Sequence, residues 1–263
     1  MLDGKKRNEL VDYVLNAQDE NYEILKITEK LYPKLTMAEA YQIQAALIKR
    51  RLDRGEKIVG PKMGLTSLAK LQQMNVSDPI YGYVFDTMVV PDGGTAEMAD
   101  YIHPKVEPEI GFILKKELKG PGVTKEAVLE ATEAVFPAIE IIDSRYLNFN
   151  FTMTDVVADN TSAAGAVFGT HLISPKGIDL ETIGVVLQIN GEVKTVGAGA
   201  AVLNHPAESV AYLANMLAEK GEAIKPGEPI LTGGLTEAVA VSSGDYVEVK
   251  FGETLGEVRL FMK

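Results

Sequence analysis

The chain contains no cysteine, which removes both a disulfide framework and a thiolate metal site and gives no sign of an oxidising compartment. No apolar run approaches a membrane span. The opening segment, MLDGKKRNELVDYVLNAQDENYEILK, is charged throughout, without the apolar stretch of a secretory signal. A cytoplasmic protein that engages no membrane is the expectation. Positive charge is scarce: 26 Lys and Arg stand against 37 Asp and Glu, the formal net charge is -11, and no basic block interrupts the sequence. Phosphate binding needs a basic face, so no nucleic-acid partner is expected. The same deficit means that an anionic substrate must be held by local cations, a metal or a few placed Lys and Arg, rather than by long-range steering. The three histidines never fall at metal-ligand spacing. His205, ahead of Pro206, reads as a turn or capping residue, and His103 lies near a glutamate pair it can support. GAGAA at 197–201 lacks the G-x-G-x-x-G form of a dinucleotide site, and no G-x-S-x-G points to a serine hydrolase.

What is present is an ordinary globular composition, 46% hydrophobic and 24% charged over 263 residues, enough for one sizeable core or two modest ones. Apolar residues at three- and four-residue spacing predict helices over NELVDYVLNAQDENYEILKITEKLY. Thr36 and Glu39 make a capping-box pattern before a second helix that Gly55 ends. Beyond it the texture changes to short apolar runs broken by Gly, Pro and Asp. TKEAVLEATEAV at 124–135 returns to helix, Asn190-Gly191 marks a hairpin, and LNHPAESVAYLANMLAEKG reads as a helix with Pro206 in its first turn and Gly221 after its last. Three glycine-punctuated strands close the chain. The expected class is α+β: a mainly helical portion over residues 1–75 and a β-rich domain over 76–263, joined somewhere in residues 56–76.

The chemistry-bearing residues are carboxylates. In HPKVEPEIGFIL, Glu107 and Glu109 stand two apart in a strand context, so both side chains leave the same face. Two carboxylates so close repel unless a cation lies between them. Glu140, in PAIEII, is surrounded by apolar residues and needs a partner. Three oxygen ligands without His or Cys suit a hard cation, Mg²⁺ or Mn²⁺, and leave positions for water or substrate. The competing structural reading makes Glu107 and Glu109 the solvent face of a half-buried strand.

The runs KIVGPKMGLTS, PIYGYVFD, HPKVEPEIGF, PAIEIIDSR, VVADNTS, GAGAAVLNHP and ILTGGLTEAV, in this order, resemble the hydratase and decarboxylase enzymes of aromatic meta-cleavage pathways. These belong to the fumarylacetoacetate hydrolase superfamily. The likeness spans roughly residues 8–263. It implies a β-rich catalytic core with an N-terminal helical portion, and a Mg²⁺ or Mn²⁺ ion held by Glu107, Glu109 and Glu140. It also implies an active-site lysine at Lys62, a pocket residue at Ser162 and a substrate contact at Leu65 in the K-x-G-L-T run. Hydratases of the family read P-D-F-G where this chain has Pro79-Ile80-Tyr81-Gly82, and decarboxylases resemble it more closely. Loss of a carboxylate as neutral carbon dioxide favours an apolar wall, here Ile80, over an Asp that would repel the departing group.

The expectation is therefore a metal-dependent decarboxylase of a small 2-oxo dicarboxylic acid, 2-oxo-3-hexenedioate (4-oxalocrotonate). Lys62 would hold a carboxylate or the developing enolate, Tyr81 would return a proton, and Arg145 would grip a carboxylate unless it pairs with Asp143 or Asp159. Hydration of 2-hydroxypenta-2,4-dienoate, carbon–carbon cleavage of an acylpyruvate and a non-catalytic scaffold are the alternatives. The resemblance further implies a homo-oligomer and a complex with the pathway's hydratase.

Overall fold

The computed structural model describes residues 2–67 and 78–263. The amino-terminal segment folds as α1 (Gly4–Asp19), α2 (Ile27–Lys30) and α3 (Met37–Asp53). Asp3 caps α1 by accepting from the Lys6 amide. At α3 the expected capping box forms: Thr36 Oγ1 accepts from the Glu39 amide while the Glu39 carboxylate accepts from the Thr36 amide. Gly55, at φ +97°, ends it. Leu10, Val14, Ile27, Ile43 and Leu47 are buried here, each contributing about 1.5–3 kcal/mol by leaving water. They pack with Val156–Ala158 in one cluster, and this seats the helices over one side of the β-structure.

The strands in chain order are β1 (Ile58–Gly64), β2 (Ile80–Phe85), β3 (Val89–Val90), β4 (Thr95–Ala96), β5 (Lys105–Leu114), β6 (Thr132–Ile142), β7 (Ala163–Phe168), β8 (Gly184–Ile189), β9 (Glu192–Ala198), β10 (Pro229–Leu231), β11 (Val239–Ala240), β12 (Tyr246–Lys250) and β13 (Glu257–Met262). One sheet runs β2-β1-β10-β5-β6-β7-β3, with β11 added along β5; a second runs β4-β13-β12-β8-β9. Among the described residues four further α-helices are α4 (Lys125–Ala131), α5 (Met153–Ala158), α6 (Pro206–Ala218) and α7 (Gly252–Leu255). The main core holds Val106, Ile110 and Phe112 of β5, Leu187, Val249 and Leu260 of the second sheet, and Val210, Leu213 and Leu217 of α6. The Asn190-Gly191 turn, both residues at positive φ, joins β8 to β9 as expected.

The expected helix over 124–135 stops at Ala131. Thr132–Val135 instead extend β6, where Thr132 pairs with Leu114 and Val135 with Phe112; ladder pairing outweighs the helical spacing of TEAV. β1 lies inside the large sheet, between β2 and β10. The expected boundary at 75/76 falls outside the described residues. Among the described residues no helix is long and apolar enough to cross a membrane.

The large sheet rolls so that its ends approach. Asn160, in the turn before β7, accepts from the Tyr83 amide and donates to the Tyr83 carbonyl, and Thr161 Oγ1 donates to the Tyr81 carbonyl. Thus β2 is tied to the far end of its own sheet, and the concave interior faces one trough.

Candidate metal centre and substrate cavity

Period two along β5 sends Val106, Ile110 and Phe112 into the core and turns Lys105, Glu107 and Glu109 to the trough. In the antiparallel register with β6, Glu107 sits directly opposite Glu140. One oxygen from each of Glu107, Glu109 and Glu140 lies within 4.8 Å of the others. Glu109 is 0% and Glu140 1% exposed, so neither carboxylate is solvated by bulk water. Lys62, although β10 and β5 separate its strand from β6, places Nζ 2.9 Å from Glu140 Oε1 and donates to the Thr161 carbonyl at 2.9 Å. The contact with Glu140 is an ion pair without hydrogen-bond alignment, for both Glu140 oxygens lack a hydrogen-bond partner.

The electrostatics follow from burial. Desolvation pushes the Glu109 carboxyl well above the usual carboxylate range, and the charges of Glu140 and Glu107 push it further. Glu140 is raised by burial too, with Lys62 opposing the shift. Lys62 thus sets its ammonium against this group of carboxyls. Glu109 Oε1 and both Glu140 oxygens have no hydrogen-bond donor, while Glu109 Oε2 accepts from the Gly233 amide at 2.7 Å. Buried lone pairs converging from three carboxylates, with no nitrogen or sulfur ligand among them, fit a hard divalent cation.

Beside this cluster is a cavity of about 370 Å³, lined by Lys62, Leu65, Ile80, Lys105, Glu107 and Ser162, with Phe149, Phe151 and Val156 adding apolar wall. Its size is that of a small-molecule site. Four of the expected catalytic and substrate-binding residues, Lys62, Leu65, Ile80 and Ser162, therefore share one cavity with Glu107 of the cluster. Ser162 Oγ is buried without a hydrogen-bond partner. Asn160, Thr161 and Ser162 are all left-handed, at φ +48°, +55° and +55°, a conformation that costs non-glycine residues about 1–2 kcal/mol each.

Two expected residues are elsewhere. Tyr81 follows Ile80 on β2, and strand alternation sends it to the opposite face, where it lines a separate cavity of about 540 Å³ together with Lys220. Its hydroxyl accepts from Lys220 Nζ, its ring stacks on Tyr41, and burial raises the phenol. It is not placed to protonate anything in the glutamate cavity. Arg145 is buried and fully engaged: Nε donates to Asp159 Oδ1 at 2.7 Å, and its terminal nitrogens donate to the Asp159 and Ala163 carbonyls. It clamps the left-handed turn rather than a ligand. Asp143 is spent on the Ile102 and His103 amides. His103 contacts the Ser144 carbonyl and Glu23 outside the cavity, and His205 caps α6 by accepting from the Ala207 amide.

Sequence reasoning missed the backing of the carboxylates. A Cβ on Gly234 would stand 2.9–3.1 Å from the Glu107 carboxylate group, and one on Gly233, at φ +105°, would meet Thr66 Oγ1 at 2.0 Å. The Gly-Gly doublet one residue beyond β10 was the available signal. It also missed Lys105, which sits inside the run HPKVEPEIGF without a role assigned to it, and the Phe149–Phe151 wall, which lies outside any motif.

Comparison with known proteins gives a consistent picture. The family model described as fumarylacetoacetate (FAA) hydrolase C-terminal matches residues 58–260. A 4-oxalocrotonate decarboxylase of Pseudomonas sp. (strain CF600) is 49% identical over 242 residues, covering 92% of this chain and 91% of the relative. A 2-keto-4-pentenoate hydratase of Paraburkholderia xenovorans (strain LB400) is 41% identical over 217 residues, covering 82% and 81%. The solved structure of 4-oxalocrotonate decarboxylase from Pseudomonas putida G7, complexed with magnesium and adipate, superposes with a TM-score of 0.97 at 46% identity, covering 100% of this chain and 99% of that one.

Proposed function

This chain belongs to the fumarylacetoacetate hydrolase family, and from that premise we propose that it is a Mg²⁺-dependent decarboxylase converting 2-oxo-3-hexenedioate to 2-hydroxypenta-2,4-dienoate and carbon dioxide. The observation that carries the reaction type is Ile80. It is 1% exposed and forms the cavity wall where a hydratase would be served by a carboxylate.

Glu107, Glu109 and Glu140 would hold the ion, whose chemistry when bound is Lewis-acid polarisation of the 2-oxo acid end. Lys62 favours the ionised form of Glu140 against its burial and presents an ammonium to the same cavity, where it stabilises negative charge developing on a substrate oxygen. Leu65, Ile80, Phe151 and Val156 form an apolar wall along the cavity. A carboxylate there is poorly solvated and gains by leaving as neutral carbon dioxide. Its bonding electrons delocalise through the double bond to the 2-oxo oxygen, on the side that Lys62 faces, and a proton taken up from water completes the dienol. The unpartnered Ser162 Oγ is available to hydrogen-bond substrate.

The absence of cysteine supports a cytoplasmic setting, and the exposed Val193 and Val196 on edge strand β9 support self-association. A hydratase would consume the dienol product, which is the basis for reading such an enzyme as a partner. The deciding experiment supplies purified protein with Mg²⁺ and 2-oxo-3-hexenedioate and follows carbon dioxide. Release that disappears in Glu140→Gln supports the reading. Water addition to the dienol without release would replace it with the hydratase.

A further inference from the structure

A six-carbon substrate with a carboxylate at each end brings an anion that the glutamates cannot receive. Arg145 does not line this cavity and holds Asp159 and the Ala163 carbonyl instead. Among the described residues, two cations line the cavity, Lys62 and Lys105. Lys62 is committed to Glu140 and the Thr161 carbonyl at the buried end. Lys105 is different. Its Nζ lies over the Phe149 ring, 4.1 Å from the centroid, and no carboxylate of the described residues stands within 4.0 Å of it. A cation seated on a ring is positioned without being neutralised.

Its place along β5 matches the substrate. Lys105 stands two residues outward from Glu107 on the same face, about 6.6 Å along the strand. Six carbons joined by bonds of about 1.5 Å separate their terminal carboxyl carbons by a comparable distance of about 6 Å. With one end at the glutamates, the other comes within reach of Lys105 Nζ. Glu237 lines the same cavity but is exposed to solvent, where water screens its charge.

We propose that Lys105, held by Phe149, is the specificity-determining residue that receives the distal carboxylate and selects dicarboxylates over monocarboxylates. The inference rests on the decarboxylase reading above. An ion pair with the leaving carboxylate is made in the ground state and lost as that group becomes carbon dioxide, so Lys105 lowers KM without raising kcat.

The test compares 2-oxoadipate with 2-oxohexanoate, which lacks the distal carboxylate, by calorimetric titration of the Mg²⁺-loaded protein. The wild type should prefer 2-oxoadipate about tenfold, the ratio expected when one charge-assisted contact contributes about 1.4 kcal/mol. Lys105→Met should bind both equally, with affinity for 2-oxohexanoate unchanged, and Lys105→Arg should restore the preference to within about threefold. Turnover of 2-oxo-3-hexenedioate by Lys105→Met should show KM raised about tenfold and kcat undiminished. A retained preference, or equal weakening of both ligands, overturns the assignment. Absence of carbon dioxide release by the wild type refutes the decarboxylase reading instead, and is recognised separately because it precedes any substitution.

Discussion

Replacing Lys62 with Met should tighten metal binding while it abolishes turnover. In the glutamate cluster the three carboxylate oxygens lie within 4.8 Å of one another. At an effective dielectric of about 20, each fully ionised pair at that distance repels by about 3.5 kcal/mol. Lys62, 2.9 Å from Glu140, offsets about 6 kcal/mol of this on the same scale. Removing it takes away that compensation and the donor to the Thr161 carbonyl. The metal-free variant should be less stable by about 3–5 kcal/mol, as when one partner of a buried pair is deleted. A divalent ion supplies the missing charge, and Lys62 no longer opposes its entry. The stability deficit should therefore shrink by at least about 1.4 kcal/mol when Mg²⁺ saturates, equivalent to tenfold tighter binding. Urea unfolding at pH 8 with a chelator and with saturating Mg²⁺, together with a direct Mg²⁺ titration, measures both sides of this cycle. Unchanged or weaker Mg²⁺ affinity in Lys62→Met would refute the electrostatic coupling, and so would a metal-free variant as stable as the wild type.

Other outcomes follow from the same geometry. Arg145→Met should cost about 3–5 kcal/mol and lower Tm by roughly 10 °C, because Asp159 is left buried without its cation; KM at a temperature where the variant is folded should stay within about twofold, and a large KM increase would restore Arg145 as a ligand for substrate. Ile80→Asp should reduce carbon dioxide release about 100-fold, or about 2.7 kcal/mol of barrier, with Mg²⁺ uptake retained, and full turnover would remove the basis for the reaction type. Burial pushes the His205 imidazole below its ordinary 6.5, so its cap on α6 is fully present above about pH 6.5 and is lost as pH falls through the lower folded value. Asn at this position also caps but does not titrate, so the stability of the wild type relative to His205→Asn should decline on acidification, by up to about 1 kcal/mol; parallel curves would show that His205 does not titrate at the cap.

The glutamate cluster was legible because it depends on short-range rules. Period two fixed the common face of Glu107 and Glu109, and a lone Glu in the apolar run PAIEII had to be partnered. Capping at Thr36 and Glu39 and the turn at Asn190-Gly191 were legible for the same reason: each is settled within four residues. Tyr81 was not. YGYVF has aromatic and apolar groups on both faces, so nothing in the run says which face meets the trough. Lys62 reaches Glu140 only because the sheet rolls. Asp159 was one of two structural partners expected for Arg145, and that it prevails over Asp143 and over substrate depends on a left-handed turn built from Asn, Thr and Ser, where glycine would have been the signal. The end of α4 was misplaced because β5 supplies a partner for Thr132–Val135 that no local window contains.

The alternation along β2 has a consequence for how such an enzyme can change over generations. Ile80 faces the glutamate cavity and Gly82 packs on Asn160, while Tyr81 and Tyr83 belong to the cavity of Lys220. Neighbours in the gene are thus separated by the thickness of a sheet, and a base change at codon 80 alters the reacting wall while the tyrosines keep their places. A one-residue deletion that shifts β2 against β1 exchanges the two faces at once, bringing a phenol to the substrate and an isoleucine to the ammonium. Descent by substitution can explore new reactions at this wall one step at a time; descent by insertion or deletion within the strand cannot.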